Sequence, residues 1–148
     1  MPMTRMISRR DMFVACALLA AWPGAALARG PIVMMDPKEA YEKAKKGEIV
    51  LFDVRTPGEW TQTGVPEGAH PLELAPTFLA RLNQLTGGDK TKPLAFMCAT
   101  GARSAYVVRE LAKRGWTNLI NVAGGVFGGP AGPGWKAEGL PFTPWKAK

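Results

Sequence analysis

Two cysteines and one histidine in 148 residues leave little for metal or disulfide chemistry. Two thiols cannot form a disulfide framework, and with a single imidazole they cannot supply the Cys and His ligands of a structural zinc site. Charged residues make up 21% of the chain and apolar residues 47%, so there is no polar tract long enough to prevent folding. The basic residues are scattered, from Lys38 to Lys148, with no aromatic-and-basic motif beside them, which excludes a dedicated nucleic-acid surface. No apolar run reaches the roughly 20 residues that span a bilayer. What remains is the size and composition of one globular domain.

The first 28 residues have the three-part layout of an export signal. Arg5, Arg9 and Arg10 form a basic start, Met12 to Trp22 is an uncharged apolar run, Pro23-Gly24 breaks it, and Ala26-Leu27-Ala28 offers small residues for cleavage. Ser8-Arg9-Arg10-Asp11-Met12-Phe13 resembles a twin-arginine signal, which carries folded proteins across a bacterial membrane; the alternative is an ordinary secretory signal whose basic region contains two adjacent arginines. The expectation is a mature domain over 29–148, periplasmic or otherwise exported, with no membrane anchor once the signal is removed. Removing Arg5, Arg9, Arg10 and Asp11 lowers the net charge of +7 by two and leaves a mild attraction for small anions. Cys16 departs with the signal, so Cys98 is the one thiol that remains. In an oxidising compartment it has no internal partner, and is therefore either packing or a reactive group.

Strands and helices alternate along the mature chain. Asp36-Pro37-Lys38-Glu39 is a helix start in which Asp caps, Pro fits the first turn and Glu can reach back to the cap, and the helix ends near Gly47. Ile49 to Val54 is a short, almost continuous apolar run, as expected of a parallel strand covered on both faces. Pro76 opens a second helix with Phe78, Leu82 and Leu85 at helical spacing and Gly87-Gly88 as its stop; Leu94 to Met97 is a second buried strand. From Arg103 the period is helical again, with Val107, Val108, Leu111 and Ala112 on one face, and Gly115 closes it before a third strand, Leu119 to Val122. Such an order with short connections predicts an α/β fold: a central, mostly parallel sheet with helices on both faces.

The informative junction is Cys98-Ala99-Thr100-Gly101-Ala102-Arg103-Ser104, between a buried strand and a helix. Ligands of open α/β sheets bind beyond the carboxyl ends of strands, where a helix start adds free N–H groups and a positive dipole end. Gly101 can adopt a positive φ that turns successive amides inward, and Arg103 is the only charged side chain of the loop. Each of these favours a thiolate at Cys98. Phe127 to Pro133 (FGGPAGP) has the glycines of a phosphate loop but no following Gly-Lys-Ser/Thr, and is expected to be a mobile rim loop.

The loop resembles that of the rhodanese family of sulfurtransferases, whose pattern Cys-x-x-Gly-x-Arg-Ser holds the catalytic cysteine. Three further segments are similar and in order: LFDVRTPGEW (51–60), GWTNLINVAGG (115–125) and GWKAEGLPF (134–142). The resemblance covers residues 34–145 and implies the three-layer rhodanese-like fold. It also implies that Cys98 accepts a sulfane sulfur as a persulfide, while Ala99, Thr100, Gly101, Ala102, Arg103 and Ser104 hold a small anionic donor such as thiosulfate. Thr100 and Ser104 would add hydroxyl hydrogen bonds, and the acceptor would be a thiol or a cyanide-like nucleophile, free or on a partner protein. Asp53 and Arg55 match the family's Asp-x-Arg box and are expected to orient neighbouring loops by ion pairing, with direct donor contact by Arg55 as the other reading. The chain departs from the family at Thr63 to Ala69, which lacks the usual histidine; His70 comes later and is expected on a surface loop. No metal or organic cofactor is implied. Two other functions share these residues: a sulfur carrier or binding domain for a partner protein, and a cysteine phosphatase or arsenate reductase. The second uses five residues between Cys and Arg, one more than separate Cys98 from Arg103.

Overall fold

The computed structural model describes residues 32–147. The export signal read at 1–28, with Cys16, lies outside them. Among the described residues no helix is long and apolar enough to cross a membrane.

Five strands form one wholly parallel sheet: β1 (Val33–Met35), β2 (Val50–Asp53), β4 (Ala69–Pro71), β5 (Leu94–Met97) and β6 (Leu119–Val122), in the order β1-β6-β5-β2-β4. A separate antiparallel pair joins β3 (Val65–Pro66) to β7 (Phe142–Thr143). The three strands read from sequence are the sheet's three inner ones. β1 and β4, the two edges, are three residues each and carry too little apolar periodicity to stand out. His70 sits on edge strand β4, not on a loop, and is exposed.

Alternation along the inner strands divides the core. Phe52, Leu94, Phe96 and Leu119 point to one face and Leu51, Ala95, Met97 and Ile120 to the other. The first face is covered by α3 (Phe78–Thr86) and α4 (Ala102–Lys113), through Phe78, Leu82, Val107 and Leu111. The second is covered by α1 (Pro37–Lys45), through Ala40, and by Trp135. Burial on both faces is why β2 and β5 are continuous apolar runs. Phe52 and Phe96, fully buried, stack with centroids 5.4 Å apart at the sheet centre.

Helix limits follow local chemistry, with two corrections. In α1 Asp36 caps the N–H of Glu39 at 2.8 Å, but the Glu39 carboxylate turns to Lys43 at 3.2 Å and does not complete the box. In α3 the buried positions are Phe78, Leu82 and Thr86, four apart; Leu85 is 47% exposed, because strict i, i+4 spacing carries the buried line to Thr86. A further helix, α2 (Pro57–Thr63), follows β2 and has a complete capping box, Thr56 with Glu59.

Candidate active site

The carboxyl ends of β5 and β2 and the N-terminus of α4 converge on Cys98. The residue follows β5 directly and is almost wholly buried, 1% exposed. Its carbonyl accepts the Val126 N–H at 2.9 Å, and the Ala99 carbonyl accepts that of Phe127 at 2.8 Å, so the segment after β6 holds the base of the loop. Gly125 makes this approach possible: a Cβ there would collide with the Cys98 carbonyl oxygen and come within 2.9 Å of Ala99.

Gly101 caps α4 with φ +98°, a left-handed conformation that suits glycine. This turn aims its N–H at the Cys98 Sγ, 3.1 Å away. The buried Ser104 hydroxyl lies 3.2 Å from the Gly101 carbonyl oxygen and 3.5 Å from Sγ. With one proton it can donate to only one of them at a time. Asn121, buried on β6, donates to the same Gly101 carbonyl at 3.3 Å and fixes the turn from below.

Two effects oppose each other at the sulfur. Burial raises the Cys98 pKa, while the Ser104 hydroxyl and the N–H groups of Ser104, Thr100 and Gly101 lower it, and the balance falls below the ordinary thiol value. A thiolate here is stabilised by directed N–H groups at a helix start. Thr100 is exposed and takes part through its N–H, and Ala99 and Ala102 add no polar side-chain atoms.

Arg103, expected to hold the donor, faces a carboxylate. Its guanidinium is held by Glu59 in a two-point ion pair, Nη1 to Oε2 at 2.9 Å and Nη2 to Oε1 at 2.6 Å. Glu59 is therefore a site residue absent from the sequence reading. Its one local signal is the Thr56-x-x-Glu59 capping box, where the same carboxylate also accepts the Thr56 N–H at 3.0 Å. The hydrogen bond from Arg103, opposed by partial burial and helped by those from Thr56, lowers the Glu59 pKa from 4.5 to about 2.

Asp53 and Arg55 stand apart from the sulfur's bonding shell. Arg55, fully buried, gives Nε to both Asp53 oxygens at 3.0 Å and Nη2 to Oδ2 at 2.7 Å. Its remaining donors reach Thr63 Oγ1 at 3.1 Å and the Gly64 carbonyl at 3.0 Å, tying the end of β2 to the end of α2. Within Phe127 to Pro133, Gly129 and Gly132 exchange N–H···O bonds of 3.0 and 3.1 Å and close a hydrogen-bonded turn. It lies against the active loop, since a Cβ on Gly129 would sit 2.7 Å from the Thr100 carbonyl oxygen.

Residues 36–129 match the rhodanese-like domain family. The chain belongs to that family. Among its relatives is a sulfurtransferase of Allochromatium vinosum, 27% identical over 97 residues that span 65% of this chain and 79% of the relative. A crystal structure from M. tuberculosis covers 78% of this chain and all of its own, at 27% identity and a TM-score of 0.63. The polysulfide-sulfur transferase homodimer of Wolinella succinogenes, solved in solution, is 32% identical with a TM-score of 0.57, over 74% of this chain and 77% of that one. The rhodanese-like family and its sulfurtransferase relatives thus agree with the architecture of sheet and loop.

Proposed function

We propose that this rhodanese-like protein is an exported sulfurtransferase that moves a sulfane sulfur from a small anionic donor, such as thiosulfate, to a nucleophilic acceptor through a persulfide on Cys98. The observation that carries the reading is the set of N–H donors around Sγ, with the Gly101 N–H 3.1 Å from it. They stabilise a nucleophilic thiolate and would then stabilise the terminal sulfur anion of a persulfide.

The reaction has two halves. The Cys98 thiolate attacks the sulfane sulfur of thiosulfate; a Sγ–S bond forms as the donor S–S bond breaks, and its electron pair leaves with sulfite. Cyanide or a thiolate then attacks the terminal sulfur, and Cys98 leaves as the thiolate. No net oxidant is consumed, no proton is required, and no base is needed at the site. Cys98 and Arg103 enclose a smaller loop than phosphoryl transfer uses, which favours a single sulfur atom over a tetrahedral phosphate.

Incubation with thiosulfate should add a mass of about 32 Da, one sulfur atom, to Cys98. Cys98→Ser should abolish that adduct and transfer to cyanide while leaving the circular dichroism unchanged. Hydrolysis of an aryl phosphate faster than sulfur transfer would overturn the reading. For export, replacing Arg9 and Arg10 with Lys should hold the precursor in the cytoplasm; unchanged export would remove the twin-arginine route.

A further inference from the structure

The site's charge balance is set by a residue outside its loop. Between Cys98 and Ser104 Arg103 is the only charged side chain, and both of its terminal nitrogens are engaged by Glu59. The pair is 39% and 27% exposed in its side chains, so it lies at the surface of the site and not beneath it. Arg55, the other guanidinium near the carboxyl end of β2, is wholly buried on Asp53. The rest of the loop's exposed rim is Ala102 and Thr100, and the half-exposed Phe127 donates its N–H to the Ala99 carbonyl.

From this pairing we infer that Glu59 is a specificity-determining residue, which neutralises Arg103 so that the site favours singly charged organic sulfane donors over dianions. The inference rests on the sulfurtransferase reading. A donor must approach a Cys98 thiolate, and the repulsion it meets grows with its own charge. A free guanidinium at the rim would offset that repulsion most for a dianion; a guanidinium already matched by a carboxylate offsets little. Thiosulfate carries two charges. Methanethiosulfonate, which has a methyl group where thiosulfate has an oxyanion, carries one. Both give the same chemistry: Sγ bonds to the sulfane sulfur, the donor S–S bond breaks, and sulfite or methanesulfinate departs with the electron pair. An organic group also suits the exposed methyl of Ala102 in the loop.

The test compares kcat/KM for transfer to cyanide from thiosulfate and from methanethiosulfonate. Taking the ratio between variants removes the donors' intrinsic reactivities. Glu59→Gln keeps an amide oxygen for the Thr56 cap and releases Arg103; it should shift the ratio toward thiosulfate by about fivefold to tenfold. Arg103→Gln leaves the carboxylate unmatched and should shift it the other way by a similar factor. A purely structural role would lower both donors together and leave the ratio still. A ratio that stays within about twofold of wild type in a folded Glu59→Gln overturns the inference. Should that variant fail to fold, an unmoved ratio in Arg103→Gln overturns it instead. If wild type forms no Cys98 persulfide with either donor, the sulfurtransferase reading itself fails and the inference with it. That result differs from the Glu59-specific failure, in which transfer proceeds but the ratio stays fixed.

Discussion

Cys98 illustrates how a buried sulfur can be acidic. Burial alone would keep it neutral, but the backbone turns at Gly101 so that three N–H groups and the Ser104 hydroxyl counter that effect. Alkylation by iodoacetamide should therefore have its midpoint below that of a free cysteine. Ser104→Ala, which keeps the N–H but removes the hydroxyl, should raise the midpoint and slow alkylation at pH 7 roughly twofold to fivefold, as expected for loss of one hydrogen bond. An unchanged titration would mean the hydroxyl donates only to Gly101. Because the folded pKa lies below the unfolded one, the thiolate contributes stability that is present above the unfolded pKa and lost as pH falls through the folded value. Cys98 was legible in the sequence because a thiol at the end of a buried strand precedes Gly-x-Arg-Ser. Glu59 was not, since it lies 44 residues from Arg103 and its local pattern speaks only of a helix cap.

At the scale of elements, the inner strands and three of the four helices among the described residues announce themselves through apolar periodicity. The fourth, α2, has seven residues with Trp60 alone buried, and the edge strands are shorter still. The sequence also conceals why Gly124-Gly125 follows β6. It reads as a strand stop, but its larger effect is to let that segment pass beside the Cys98 loop. Gly125→Ala places a methyl group against the Cys98 carbonyl at φ +56° and should cost about 2–4 kcal/mol in urea unfolding, with slower sulfur transfer. Gly47→Ala is the control. Its φ is +71° but nothing lies within 4 Å of the added Cβ, so it should cost only about 1–2 kcal/mol and leave transfer alone. Equal costs at the two positions would reduce Gly125 to backbone strain.

Across the whole molecule, two ion pairs bind α2 to the sheet and to α4, and they respond differently to change. Asp53 and Arg55 are wholly buried, so Asp53→Asn leaves a guanidinium uncompensated and should cost about 3–5 kcal/mol. Glu59 and Arg103 join α2 to α4 at a partly exposed site, where screening limits the pair to about 1 kcal/mol. Glu59 titrates at about 2 in the fold against an ordinary 4.5, so its contribution is present above pH 4.5 and is lost as pH falls through 2. Glu59→Gln has no such proton to take up. Its deficit relative to wild type, measured by urea unfolding, should be full at pH 6 and should shrink steadily between pH 4.5 and 2. A deficit independent of pH would mean that the charge on Glu59 adds nothing to stability beyond what the neutral amide supplies, through either the α2 cap or the Arg103 pair. The ion pair would then contribute nothing to holding the two helices together.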